Sequence, residues 1–320
     1  MTGETNAGVC FASWHGFAGC VTSCRHSEAV LGGKAAVVTE SEAPTEALDS
    51  ELLILSAWTP GYAELLERRA GPTVARWHSP LLQTELSREG WKLSNLLELV
   101  DNGSLAGLAV SDAAVAAALG HPKIIHLPEV FEPELVAGTR PARLEGVNVS
   151  LVGEPHGRKN VLAQSAGFEE ARRLAEGEWT LHLFGQTHRR RGYARWLELA
   201  GIPHVDHGFL PVEQQLQLLA GMDAALVASL TESYGYAAAE HVALGVPAVV
   251  SRAVAALDPG PLTVADPGDV SEIAALLALA LAEPQLTADQ RAGLLRRAEE
   301  NASIASHALA DLRQRVAALL

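Results

Sequence analysis

The stretch TESYGYAAAEHVALGVPAVVS, Thr231–Ser251, sets two glutamates, Glu232 and Glu240, around a short segment of serine, tyrosine, glycine and alanine, then turns through Gly-Val-Pro into an apolar run. Ala224–Ala228 before it has the short, apolar character of a buried strand, so Ser229–Gly235 is a loop leaving a strand and Tyr236 opens a helix. Gly245 supplies a left-handed stop, Pro247 prevents continuation, and Ala248–Ser251 resumes as the next strand. Were the interval between the glutamates helical throughout, they would lie about 12 Å apart along the axis and about 80° apart around it. They are therefore not an acid pair on one face. Glu232 belongs to the loop and Glu240 to the second helical turn. The alanines between them allow close approach by something bulky and polar. A carboxylate accepts two hydroxyl protons at once, so it suits a vicinal diol. Two carboxylates flanking the N–H groups of a helix start suit two diols with a diphosphate beside them, which is the make-up of a nucleotide sugar.

The same strand-loop-helix unit extends in both directions. Strands are expected at Val9–Ser13, Ala35–Thr39, Leu52–Ser56, Thr73–Trp77, Gly107–Ser111 and Lys123–Leu127. After a gap they resume at Val147–Val152, Trp179–Phe184, His204–His207, Ala224–Ala228, Ala248–Ser251 and Leu262–Ala265. Helical periodicity fills Tyr62–Arg69, Arg88–Val100, Lys159–Ala175, Arg191–Ala200, Val212–Ala220, Tyr236–Leu244 and Val270–Ala282. Alternation of this kind means parallel sheets wrapped by helices, and strands with little polar alternation fit burial on both faces. The gap, EVFEPELVAGTRPARLEG, is rich in Pro, Gly and charge and reads as a linker over 129–146. It separates domains at 1–128 and 147–302. The tail from Ala288 is helical throughout, with Leu294, Ile304, Leu309 and Leu312 as its apolar positions, and residues 303–320 are expected to complete the first domain.

Bulk properties narrow the partners. The 320 residues are 48% hydrophobic and 19% charged with a net charge of −14, which describes a well-buried globular chain and argues against a duplex nucleic-acid partner. The opening MTGETNAGVCFASW lacks a basic segment followed by a long apolar one, so no secretory signal is expected. Apolar runs such as Ile273–Ala282 reach about half of the ~20 residues a membrane span needs. Cys10, Cys20 and Cys24 form no CxxC; Cys20 and Cys24 could share a helix face as half a zinc site, but reduced, buried thiols in a cytoplasmic protein are the expectation.

Open parallel sheets bind ligands beyond the carboxyl ends of their strands. Neither His15-Gly16-Phe17-Ala18-Gly19 nor Gly153-Glu154-Pro155-His156-Gly157 fits the dinucleotide GxGxxG, and no phosphate-loop GxxxxGK[ST] is present. GEPHGRKN, Gly153–Asn160, does offer glycines for close backbone approach, the cations Arg158 and Lys159, and a helix N-terminus, which together make a diphosphate cradle or simply a solvated basic helix start.

With these residues in place the sequence resembles the retaining glycosyltransferases of family 4, whose signature E-G-F-G-x-x-x-x-E-A-x-A-x-G-x-P-V-V is similar to E-S-Y-G-Y-A-A-A-E-H-V-A-L-G-V-P-A-V-V here. LHLFGQ (Leu181–Gln186) and HVDHGFLPVEQQLQLLAGMDAALVAS (His204–Ser229) resemble flanking family patterns; in the first domain HLPEVFEPE (His126–Glu134) resembles its "i-P-N-x-v-D" exit. The resemblance covers Val147 to about Asp269 well and the first domain thinly. It implies the α/β GT-B fold: two doubly wound, Rossmann-like parallel-sheet domains facing across a cleft, with the C-terminal helix crossing back to the first. It implies a metal-independent hexosyl transfer, with retention, from a UDP- or GDP-linked sugar. Glu240 would bind the ribose, Glu232 the transferred sugar beside the amides of Ser233, Tyr234 and Gly235, and Lys159 the leaving diphosphate with Arg158 and Gly153 nearby. His78 takes the place of a histidine facing the donor sugar, and Gly16 and Gly19 that of the first glycine loop. The acceptor, entering from the first domain, is expected to be a small molecule, a glycan or a protein side chain.

The chain departs from the family at Glu154, where an arginine is usual. Arg158 takes over that charge, or Glu154 points away, or donor binding is weakened. The competing expectations are a non-catalytic nucleotide-sugar or glycan binder of the same fold and a nucleotide-sugar epimerase. For His78 the alternative is a strand-end histidine bonded to a backbone carbonyl.

Overall fold

The computed structural model describes residues 8–39, 42–153, 155–185 and 190–318. Glu154 and Gln186, named above, lie outside them. Six strands, β1 (Val9–Trp14), β2 (Lys34–Val38), β3 (Leu52–Ser56), β4 (Thr73–Trp77), β5 (Gly107–Val110) and β6 (Ile124–His126), form a parallel sheet ordered β2-β1-β3-β4-β5-β6. Six more, β7 (Val147–Val152), β8 (Trp179–Phe184), β9 (His204–Asp206), β10 (Ala224–Val227), β11 (Ala248–Ser251) and β12 (Thr263–Val264), form a second, ordered β12-β11-β10-β7-β8-β9. Every residue of β3, β4 and β10 is buried, as strands covered by helices on both faces must be.

The two sheets are not wound alike. Counted within its own unit, the second runs 3-2-1-4-5-6, the dinucleotide-fold order, whereas the first runs 2-1-3-4-5-6. In the second sheet the chain steps outward through β8 and β9 and returns beside β7 as β10, with Leu226 opposite Leu151. The loops leaving β7 and β10 are therefore neighbours at the reversal. In the first sheet the equivalent neighbours leave β1 and β3.

One compact unit consists of the chain to Glu132 together with the chain from Ala298 onward; the other is Pro133–Arg297. The stretch expected as a linker thus begins inside the first unit, where Val130 and Phe131 are buried, and the division falls after Glu132. The last helix, Pro284–Ala317, begins earlier than its periodicity implied and continues through the second boundary. Its Ala305, Leu309, Leu312 and Val316 pack with Phe11, Ile54 and Val74 in the first unit's core. In the second unit Phe168, Ile273 and Leu277 cover one face of the sheet against Leu151, Leu181 and Leu226. Helices at Ala18–Leu31, Leu81–Leu86 and Ala113–Leu119 add to those read from the sequence. Among the described residues no single helix is long and apolar enough to cross a membrane.

Candidate functional site

At the reversal of the second sheet the backbone is shaped by side chains that stitch the loops together. Gly153 ends β7 at φ +121°, a region that favours glycine, and a Cβ there would lie 3.1 Å from Lys159 Cε. A short 3-10 turn, Gly157–Lys159, follows, and the His156 ring accepts from Arg158 N at its start. Asn160 then takes a left-handed conformation, which a short amide side chain tolerates. Its Nδ2 donates to Ala228 O at 3.1 Å and to Pro267 O at 2.5 Å, tying the loop after β7 to those after β10 and β12. Gln164 donates to Lys159 O at 2.6 Å and accepts from Ala228 N at 2.8 Å, and Arg158 O accepts from Leu230 N at 2.8 Å.

Glu232 is held inside this frame, only 7% exposed. Its Oε1 accepts from Lys159 Nζ at 2.5 Å and Ser229 Oγ at 2.7 Å, and its Oε2 from Arg158 Nη1 at 3.4 Å. Burial works to raise this carboxyl, but Lys159, Arg158 and the hydrogen bonds outweigh it and lower it below the ordinary value. Lys159 and Glu232, read from the sequence as separate ligand contacts, are thus partners of each other. Gly235 caps the Tyr236–Ala243 helix at φ +99°, and a Cβ there would come 2.7 Å from Val254 Cγ1, so only glycine fits. Ser233 is half-buried, Tyr234 is buried with its ring 4.8 Å from that of Tyr236, and Glu240 is half-buried in the helix's second turn.

The first unit holds its own polar cluster at the carboxyl ends of β4 and β5. Arg76 is 1% exposed, although it sits in the strand TVARW. It forms an ion pair with Glu129 at 3.3 Å and donates to Ser27 Oγ at 3.2 Å and Pro128 O at 2.7 Å. Glu129 also accepts from Ser23 Oγ at 2.6 Å, from Ser111 Oγ at 2.8 Å and from His78 Nδ1. Burial would raise its carboxyl, yet Arg76 and His78 hold it well below the usual range. His78 is therefore bonded to a carboxylate and not to a backbone carbonyl, the alternative weighed from sequence. Gly16 and Gly19 are exposed; a Cβ on Gly16 would meet nothing nearer than Trp14 Cδ1 at 3.6 Å, and one on Gly19 nothing within 4 Å. The fold itself does not require glycine at either position.

Sequence reasoning missed Glu129, Arg76, Ser229, Asn160 and Gln164. The legible signal was Arg76: a cation inside an apolar strand must have a buried partner. Cys10, Cys20 and Cys24 remain thiols; burial pushes Cys10 up to about 11 and Cys24 up to about 12. Among the described residues no group of three or more His, Cys, Asp or Glu is placed to hold a metal ion.

Residues 147–283 match the family model described as "Glycosyl transferases group 1". No curated protein matches the sequence. Among solved structures, a UDP-forming α,α-trehalose-phosphate synthase from Burkholderia xenovorans is similar at 16% identity and a TM-score of 0.62, covering 84% of this chain and 74% of that one. A trehalose-6-phosphate structure from E. coli bound with UDP-2-fluoro glucose is similar at 17% identity and a TM-score of 0.61, covering 82% and 73%. The Burkholderia xenovorans synthase in complex with glucose-6-phosphate is similar at 15% identity and a TM-score of 0.59, covering 82% and 72%. The chain shares their GT-B fold, with two parallel six-stranded sheets and a C-terminal helix.

Proposed function

We propose that the protein is a retaining glycosyltransferase of the family 4 type, moving a hexosyl group from a nucleotide-diphosphate sugar to an acceptor hydroxyl. The observation that carries this reading is the convergence of Arg158 and Lys159 on the buried Glu232 at the strand reversal of the second unit, inside the 147–283 span that matches glycosyl transferases group 1. Both cations keep some exposure, 25% for the Arg158 side chain and 16% for Lys159, so a diphosphate can approach them from solvent.

In this reading Lys159 and Arg158 neutralise the charge that grows on the diphosphate as the bond between its oxygen and the anomeric carbon breaks. The acceptor oxygen bonds to that carbon on the same face, and its proton passes to the departing phosphate oxygen. No side-chain nucleophile is needed. Glu232 accepts from hydroxyls of the transferred sugar and orients Lys159, Glu240 accepts from the ribose diol, and Ser233, Tyr234 and Gly235 present the helix start. Gly153 keeps the cradle open, and Gly16 and Gly19 serve as an approach loop free of side chains. His78 is assigned to sugar hydroxyls by resemblance. The protein cations carry the diphosphate charge, so chelation of divalent metals leaves turnover unchanged. UDP sugars come first as donors and GDP sugars second, because the similar structures include a UDP-forming synthase and a UDP-sugar complex. Small hydroxylated acceptors, sugar phosphates among them, are the class to test. Three thiols fit a cytoplasmic setting.

Titration calorimetry against a panel of UDP- and GDP-sugars, followed by release of the nucleoside diphosphate with acceptor, tests the reading. Binding abolished by Glu240→Ala, with transfer lost in Glu232→Ala, is the expected result; nucleotide sugars that bind nowhere, or bind unchanged in both variants, overturn it. Glu154 in place of the usual arginine favours one second reading, a binder without turnover, which predicts donor affinity with no transfer to any acceptor.

A further inference from the structure

Glu129 is a buried carboxylate of the first unit with donors on both oxygens, and the proposed transfer chemistry gives it no part. Its side chain is 2% exposed and that of Arg76 0%. Every polar partner of its two oxygens named here is a donor: Ser111 and His78 at Oε1, Ser23 and Arg76 at Oε2. An ionised carboxylate can only accept, so the proton shared with His78 resides on Nδ1. The other ring nitrogen, Nε2, is buried and has no hydrogen-bond partner among the described residues. A proton there would be an unsatisfied buried donor, and a doubly protonated ring would add a second cation beside Arg76. A bare lone pair is the cheaper state.

We propose that Glu129 is a positioning residue for His78: it accepts the Nδ1 proton, fixes the neutral Nδ1–H tautomer, and leaves Nε2 as a hydrogen-bond acceptor for a substrate hydroxyl. The substrate half of this rests on the glycosyltransferase reading; the tautomer half does not. The arrangement also says what a neutral substitute would do. In Glu129→Gln the guanidinium of Arg76 demands the amide oxygen, which turns the NH2 toward His78. Nδ1 must then accept, and the ring switches to Nε2–H. The same logic operates when Asn replaces the buried Asp behind the histidine of a Ser-His-Asp triad.

Long-range 1H–15N correlation spectra of the His78 ring at neutral pH read the tautomer directly, without any activity assay. Wild type is expected to show Nδ1–H and Glu129→Gln to show Nε2–H; a wild-type ring that is Nε2–H or doubly protonated overturns the proposal. With a donor that turns over, Glu129→Gln is expected to lower kcat about tenfold with the donor KM within about twofold. In a His78→Ala background the same change is expected to add nothing. A kcat that is unchanged while the melting temperature falls makes Glu129 merely structural and overturns it as well. Should Glu129→Gln not fold, Glu129→Asp, which withdraws the carboxylate from His78 by one methylene, takes its place in the kinetic comparison. Absence of turnover in the wild type counts against the glycosyltransferase reading, while the spectra still decide the tautomer.

Discussion

The two units each bury a carboxylate under a guanidinium at the carboxyl edge of a parallel sheet, and they use it differently. In the first, Arg76 and Glu129 are sealed, and the cation spends its donors on Ser27, Leu127 O and Pro128 O as well as on the ion pair. In the second, Glu232 is sealed but its cations are not, and Lys159 Nζ donates to that carboxylate. A sealed pair is a clamp whose members cannot exchange partners. A half-open one leaves cations that can take a phosphate without first being dug out of the core. The difference follows from chain placement: Arg76 lies within a strand, whereas Arg158 and Lys159 lie in a turn beyond one.

The sharpest way to break this comparison is to remove one cation from each. Arg76→Met leaves Glu129 charged and unpaired in the interior and is expected to cost about 3–5 kcal/mol. Arg158→Met, on a partly exposed pair, is expected to cost no more than about 1 kcal/mol. Urea unfolding of the two variants checks the pair, and equal losses would erase the distinction. Next in size is Lys159→Ala, expected to lower kcat by about 10²–10³, with a smaller stability loss than Arg76→Met because Arg158 and Ser229 still serve Glu232.

The strands were readable because each is a short apolar run bounded by loop residues, and all twelve fall close to their expected positions. Their order was not readable. Nothing local in β2 or β8 says on which side of the first strand it pairs, so the unlike winding of the sheets came only from the structure. The Ala18–Leu31 helix was indistinct for a physical reason. Its buried positions include Ser23, His26 and Ser27, which serve Glu129, the Glu132 amide and Arg76, so the apolar stripe is interrupted. Glu129 was hidden in the same way, since one charge among several in a Pro- and Gly-rich stretch looks solvated. Of the candidate site, the residue types and spacing were legible, but the pairing of Lys159 with Glu232 was not, because the two are far apart in sequence.

A smaller effect comes from acid. Burial lowers His26, His182 and His241 to about 4 each, from an ordinary 6.5. The unfolded chain therefore takes up protons at these rings before the native one does. Their contribution to stability is complete above pH 6.5 and is lost as the pH falls toward 4. Glu129 and Glu232, both lowered, add a loss of the same sign only at still lower pH. His26 is in the first unit and the other two in the second, so amide hydrogen exchange is expected to show the second unit loosening more steeply between pH 6.5 and 4. The smallest expected change is Gly19→Ala, which meets open space inside a helix and is expected to raise stability by about 0.5–1 kcal/mol. Loss of turnover in that stabilised variant would mark the glycine as kept for a ligand; unchanged turnover would remove it from the site.

The helix that ends the second unit and then completes the first puts part of the older unit's core at the far side of the younger one in order of synthesis. Residues 133–297 are made in one piece, with the core cluster around Phe168, Ile273 and Leu277 inside them. The older part of the chain, although it leaves the ribosome earlier, lacks Ala305, Leu309, Leu312 and Val316 until the whole of 133–297 has been made. Until then the apolar side chains of β1, β3 and β4 that these four cover, Phe11, Ile54 and Val74 among them, lack that cover.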